Sequence, residues 1–298
     1  MLALDNLLDI LSLSLAFSLI GLNVFLSSSV MKITDMSCDA SVSLGGCSYG
    51  VLVLMGYDPY LSGAVAIFLG ALVGLVTSSM INSVRLEPVV AGIITVTLVS
   101  SILVKTCSGL NNVDAQQCSA LIKDNFSAVQ TFFVTLVSVA VTAYLFCKIL
   151  HSEYGLGMRV FGDGEIVSES LGIDVNLARR MALSLGNSLS AIAGVLIAKI
   201  TGVFSVTMGS GSMIFGVTTL IVAEKFLPPK TFRGALGGCI LGAICYKFLI
   251  ASVVYVMVGT KLGGSTYDGL ITALVLGVLM LLTNLKNFPL LAKRRTHG

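Results

Sequence analysis

His151-Ser-Glu-Tyr-Gly-Leu-Gly-Met-Arg159-Val-Phe-Gly-Asp-Gly-Glu-Ile-Val-Ser-Glu-Ser-Leu-Gly-Ile-Asp174 is a polar insert between two apolar runs, 128–150 and 177–200. Each run has the roughly 20 residues that a helix rising about 1.5 Å per residue needs to cross about 30 Å of hydrocarbon. Two such runs joined by a polar stretch read as two membrane crossings with a water-exposed connection. Composition extends that reading to the whole chain. With 55% hydrophobic residues, 11% charged residues, 31 glycines and a mean hydropathy of +0.97, the sequence lacks the charge of a water-soluble domain.

Working outward from the insert gives about nine apolar segments (range 8–10), near 8–29, 41–57, 60–82, 88–106, 128–150, 177–200, 210–224, 234–257 and 267–285. The runs are continuous and do not alternate with period two, so the expected fold is an all-α, polytopic membrane helical bundle and not a barrel. Residues 1–298 are expected to form a single transmembrane domain. The first apolar run follows Met-Leu-Ala-Leu-Asp without a basic start or a small-residue cleavage site, so it is expected to remain as a span. Segments 41–57 and 210–224 are short and glycine-interrupted. Broken helices must satisfy their backbone inside a bundle or along a cavity, which places them centrally, where a transport path would run. The path candidates are Asp39, Ser41, Ser43, Gly45 and Gly46 in the first, and Ser210, Ser212 and Thr218 in the second.

Orientation follows from the cations. With the N-terminus outside and alternating crossings, Lys32, Arg85, Lys148, Arg159, Arg179, Arg180 and the basic residues at 225, 230, 233, 286 and 293–295 fall inside, against Lys105, Lys123, Lys199 and Lys261 outside. This positive-inside bias puts the C-terminus and the insert 151–176 in the cytoplasm.

Four regions in order resemble the permeases of bacterial ABC importers of the branched-chain amino acid and monosaccharide class. They are Ile33-Thr-Asp-Met-Ser-Cys-Asp-Ala-Ser-Val-Ser-Leu-Gly-Gly46, the insert itself, the small-residue run Leu183 to Ala198 (Ser184, Gly186, Ser188, Ala191, Ala193, Gly194), and Phe232-Arg-Gly-Ala-Leu-Gly-Gly-Cys-Ile-Leu-Gly242. The placing of Asp35 and Asp39 before Leu44-Gly45 is most similar to the subgroup of amino acid importers of the tryptophan and tyrosine type. Phe161, Gly164, Cys38, Ala40 and Val42 depart from the family pattern, which bears on subfamily and so on substrate. The resemblance implies a bacterial inner-membrane subunit that passes a small polar solute, an amino acid by subgroup, into the cytoplasm. It also implies a cytoplasmic ABC ATPase that holds ATP and Mg, an extracytoplasmic substrate-binding protein, and a second permease chain, as a homodimer or a heterodimer with a close relative. Membrane lipid surrounds the spans, and nucleic acid is not an expected partner. Carried onto this chain, the ATPase-coupling residues are Arg159, Gly162, Asp163, Gly164, Glu165, Leu171, Gly172 and Ile173.

Elementary chemistry supports the same reading of the insert. After the Gly155/Gly157 pair and a Gly162-Asp163-Gly164 turn, Asp163 to Leu171 reads as a short surface helix. Acids stand in its first turn, where the helix dipole favours them, and Ile166, Val167 and Leu171 are available for an apolar face. By pattern alone a plain cytoplasmic loop is an equal reading.

The remaining residues exclude more than they assign. The chain has no GxxxxGK[ST] sequence to cradle a nucleotide, so energy must come from another subunit or an ion gradient. The seven cysteines show no CxxC pair and the two histidines are His151 and His297, so no metal site is expected and the chain itself should bind no cofactor. Cys107 and Cys118 could pair in an oxidising exterior or remain free thiols. Lys247, mid-span, is expected to snorkel from a mis-centred span or to pair with Glu224 for bundle stability, with a ligand role as the alternative. Asn23, Asn187 and Ser188 more simply join helices. An ion-coupled secondary transporter is the alternative, but no inverted repeat or paired intramembrane acids stand out. An intramembrane enzyme would need a catalytic constellation that the histidines do not supply, so the chain is not read as an enzyme.

Overall fold

In the computed structural model, residues 2–107, 128–226, 232–258 and Gly277 are described, and all regular structure among them is helical. The helices are α1 (Leu2–Val24), which runs on into a π-helical stretch Phe25–Val30, α2 (Cys38–Leu54), α3 (Pro59–Val84), α4 (Pro88–Cys107), α5 (Ala128–Leu150), α6 (Glu153–Asp163), α7 (Glu165–Ser170), α8 (Val175–Thr201), α9 (Ser212–Phe226) and α10 (Phe232–Val258). Eight of the expected segments are therefore helices, and the ninth, 267–285, lies outside the described residues apart from Gly277. Among the described residues, five helical stretches are long and apolar enough to cross a membrane: Leu7–Val30, Pro59–Val84, Pro88–Cys107, Ala128–Leu150 and Val175–Thr201. α2, Cys38–Leu54, is a shorter apolar helix, as its glycine interruptions indicate.

The chain divides into two compact units, residues 1–244 and residues 245–298. In the second unit the described part is the end of α10, where Lys247 is partly buried. The side chain of Glu224 and the residue Cys118 lie outside what is described, so neither suggested pairing is visible. Cys107 is a buried free thiol.

Within residues 1–244, α8 is the central helix and packs on α1, α2 and α3. Its boundaries are encoded locally. Asp174 caps the N-terminus by accepting from Asn176 N at 2.9 Å and Leu177 N at 3.1 Å. Gly202, at φ +70°, ends it with its N–H on the Ala198 carbonyl. α3 starts with Asp58 as cap and Pro59 at its first position, and stops at Arg85, which is left-handed at φ +56°.

Small residues let these helices approach backbone to backbone. A Cβ added at Gly45 would fall on the Ala191 carbonyl, one at Gly194 on the Val42 carbonyl, and one at Gly74 on the Leu183 carbonyl. The core around them is built from Leu19, Ile20, Leu22, Val42, Leu189 and Ala193. α3, α4 and α5 turn the opposite face outward, with Tyr60, Phe68, Ile93, Ile102, Phe133 and Tyr144 all exposed. An apolar perimeter around a small-residue core is what a helix bundle in lipid requires.

Candidate functional site

The insert after α5 folds differently from its expected course. Glycines 155, 157 and 162 point, by sequence, to a loop and a turn, yet Glu153–Asp163 is helical and the break falls on Gly164 alone, at φ +149°. The correction has a packing cause. A Cβ at Gly155 would fall on the Leu150 backbone, and one at Gly162 on the Val30 carbonyl, so these glycines admit a close approach and do not turn the chain. Asp163 accordingly ends α6 instead of opening the surface helix, which is α7, Glu165–Ser170.

Local bonds fix each end of the insert. Arg159 folds back so that its guanidinium donates to the Leu150 carbonyl at 2.5 Å, satisfying the C-terminus of α5, and its Nε donates to the Gly155 carbonyl at 3.3 Å. At the other end Gly172, at φ +74°, donates to the Glu169 carbonyl, and Ile173 N donates to the Ser168 carbonyl, each at 3.0 Å. That pair of bonds is a Schellman stop. Asp174 follows at once as the cap of α8, leaving no slack between α7 and α8.

A nonlocal junction then pins α7 in place. Arg179, in the second turn of α8 and nearly buried, donates to the Glu165 carboxylate and to the Asn82 side-chain oxygen on α3, and lies 5.0 Å over the Phe161 ring. Asn82 in turn donates to the Asn176 carbonyl at 3.2 Å. On the exposed side Lys32 stands 3.6 Å from Asp163. In the sequence Arg179 enters only the positive-inside count. The signal that could have found it is its place on the buried stripe of α8, with Val175, Ala178 and Ala182. An ionisable residue on such a stripe requires a partner.

With its backbone anchored, α7 holds Ile166, Val167 and Leu171 outward, and Ile166 is 84% exposed. The expected apolar face is thus present and uncovered, on a platform of capped helix ends.

Of the residues expected along a path, Asp39 and Ser43 are brought to the start of α9, where Ser210 and Ser212 lie in sequence, and the others are not gathered with them. Asp39, in the first turn of α2, accepts from Gly211 N at 3.0 Å and Met213 N at 2.7 Å, and so caps α9 from across the bundle. Ser43 Oγ accepts from Gly209 N at 2.9 Å. Ser41 donates to the Asn187 side-chain oxygen at 2.6 Å. An added Cβ at Gly45 would strike Ala191 on α8, and one at Gly46 would strike Met208, in the segment after α8, and approach Gly194 on α8. Ser212 is buried, Ser210 is exposed, and Thr218 bonds back to the Ile214 carbonyl at 2.8 Å.

Beside them runs a buried polar node. Asp35 accepts from Ser37 N at 2.8 Å and from the Asn187 amide at 3.0 Å, and the Asn23 amide donates to Ser190 at 2.7 Å. Asn23 and Asn187 therefore join helices, while Ser188 bonds to its own helix at Ser184. Among the described residues no group of His, Cys, Asp or Glu is placed to hold a metal ion.

Residues 6–284 match the family model described as branched-chain amino acid transport system, permease component. The tyrosine transport system permease protein of Clostridioides difficile is 25% identical over 246 residues, 83% of this chain and 82% of that one. The autoinducer 2 import system permease protein LsrC of Salmonella paratyphi B is 24% identical over 252 residues, 83% of this chain and 69% of that one. Among solved structures, PsaBC from Streptococcus pneumoniae in complex with Fab aligns with a TM-score of 0.53 over 94% of this chain and 89% of that one, at 13% identity.

Proposed function

Because the chain belongs to the family of branched-chain amino acid transport system permease components, we propose that it is the membrane subunit of an ATP-driven importer. It passes a small polar solute from an extracytoplasmic binding protein into the cytoplasm of a bacterium. Kinship with the tyrosine transport permease supports an amino acid as the solute. Nine spans, an outer N-terminus and an inner C-terminus give the topology, and the positive-inside distribution supports it. A separate ABC ATPase binds ATP and Mg and performs the hydrolysis.

The observation that carries the reading is the uncovered apolar face of α7, Ile166, Val167 and Leu171, on a backbone held by Gly172, Asp174 and Arg179. In water these side chains gain nothing by exposure, whereas a cleft on an ATPase would bury them at about 25 cal/mol per Å². A displacement of α7 reaches α8 through the Asp174 cap and the Arg179 junction, and α8 packs on α1, α2 and α3. Motion at the cytoplasmic end is thus delivered to the clasp between Asp39, Ser43 and residues 209–213. Each ATPase of a pair needs its own docking helix and the chain has one coupling segment, which supports two permease chains per complex, with the path along their two-fold axis.

Co-purification of the ATPase with the Ile166→Glu variant tests the docking role. A central apolar anchor is worth about 2 kcal/mol or more, so the complex should weaken at least about 30-fold while the chain still inserts. Undiminished ATPase binding by an inserted Ile166→Glu chain would remove this assignment.

A further inference from the structure

We propose that the crevice where α3, α5, α6 and α8 meet is a binding site for an anionic phospholipid, with the phosphate on Lys148 and Arg180 and an acyl chain against the apolar wall. The crevice has a volume of about 590 Å³. Leu75, Ile149, Met158 and Leu177 are among its lining residues, and no carboxylate lines it. Apolar matter is what such a wall accepts, which disfavours a free anion as the occupant.

Its rim is cationic. Lys148 stands in the last turn of α5, 5.5 Å over the Tyr144 ring, and Arg180 is exposed on the second turn of α8. Neither forms an ion pair among the described residues. The acidic neighbours Glu153 and Asp174 line a smaller adjoining crevice of about 210 Å³, which shares Tyr154, Leu177 and Met181 with the larger one. Depth agrees with charge. α5 is a full-length apolar span ending at Leu150, which puts Lys148 at headgroup level and the wall just inside the hydrocarbon. Basic pockets between spans at the cytoplasmic face are where acidic headgroups bind. Placement in the inner leaflet rests on the orientation proposed above, whereas lipid retention does not.

The test is native mass spectrometry of the full chain extracted from vesicles of phosphatidylcholine containing phosphatidylglycerol, comparing the parent with the Lys148→Gln/Arg180→Gln double variant. The variant should retain about 10- to 30-fold less phosphatidylglycerol, with phosphatidylcholine retention unchanged, because each cation near a membrane surface contributes about 1 kcal/mol to anionic lipid. A second variant, Met181→Trp, fills the crevice while sparing both cations and should also release the lipid. Equal phosphatidylglycerol retention in all three chains would overturn the proposal. So would displacement of the bound species by inorganic phosphate alone, or cysteine crosslinking that shows a second copy of the chain seated in the crevice.

Discussion

Replacing Arg179 by Gln should release α7 without unfolding the bundle. Three contacts are lost. The Glu165 side chain is 59% exposed, so its pair with Arg179 is screened and is worth about 0.5–1 kcal/mol. The charged bond to Asn82 contributes about 1.5 kcal/mol and the placement over Phe161 about 0.5–1 kcal/mol. Against this, the Arg179 side chain is only 10% exposed, and removing it relieves a desolvation cost of about 1 kcal/mol or more. Detaching α7 itself breaks only the Glu165 pair, since Asn82 stands on α3 and Phe161 on α6, so the variant loses about 0.5–1 kcal/mol of anchorage, about a 2- to 5-fold increase in the detached population. Six residues are too few for a helix to persist once detached, so release and melting coincide. Hydrogen exchange reads this directly. Amides of Ser168, Leu171 and Gly172 should exchange about 2- to 5-fold faster in Arg179→Gln, while Ala193 in the centre of α8 keeps its rate. Unchanged exchange over 165–172 would refute the junction. An equal acceleration at Ala193 would show that Arg179 supports the bundle as a whole and does not specifically hold α7.

Other expectations concern the core and the topology. Gly74→Val places a side chain on the Leu183 carbonyl and should cost about 3 kcal/mol or more, seen as loss of monodisperse protein in detergent. Gly63→Ala, on the same helix in open space, should be neutral or should stabilise by up to about 1 kcal/mol in thermal unfolding. Asn187→Leu removes a buried donor to Asp35 and Ser37 and the acceptor of Ser41, and should destabilise by about 2–5 kcal/mol, whereas Ser188→Ala should change the melting temperature little. In intact cells, an impermeant thiol reagent should label a Tyr57→Cys chain and miss an Ile166→Cys chain; the reverse would invert the orientation.

Span location is legible because lipid demands long apolar runs, and α5 occupies 128–150 in both the sequence pattern and the structure. The short helices are legible through their glycines, although α2 begins at Cys38, earlier than the apolar run, with Asp39 in its first turn. Glycine misleads in α6. Gly155 and Gly162 read as breakers, but nothing local distinguishes a glycine that turns the chain from one that admits a neighbouring carbonyl. The same limit applies to the charges. Arg159 serves Leu150, nine residues away, and Arg179 reaches Asn82 across the bundle, so both partners are set by tertiary contacts and not by spacing. The apolar face of α7 is readable from Ile166, Val167 and Leu171, whereas the brace that presents it is not.

Solute uptake into vesicles reconstituted with the chain, its ATPase and its binding protein tests the transport role most directly. Uptake should require ATP and should cease when Ile166→Glu replaces the parent chain in the same complex. Accumulation by the chain alone, driven by an ion gradient without the ATPase, would contradict an ATP-driven permease and establish a secondary carrier.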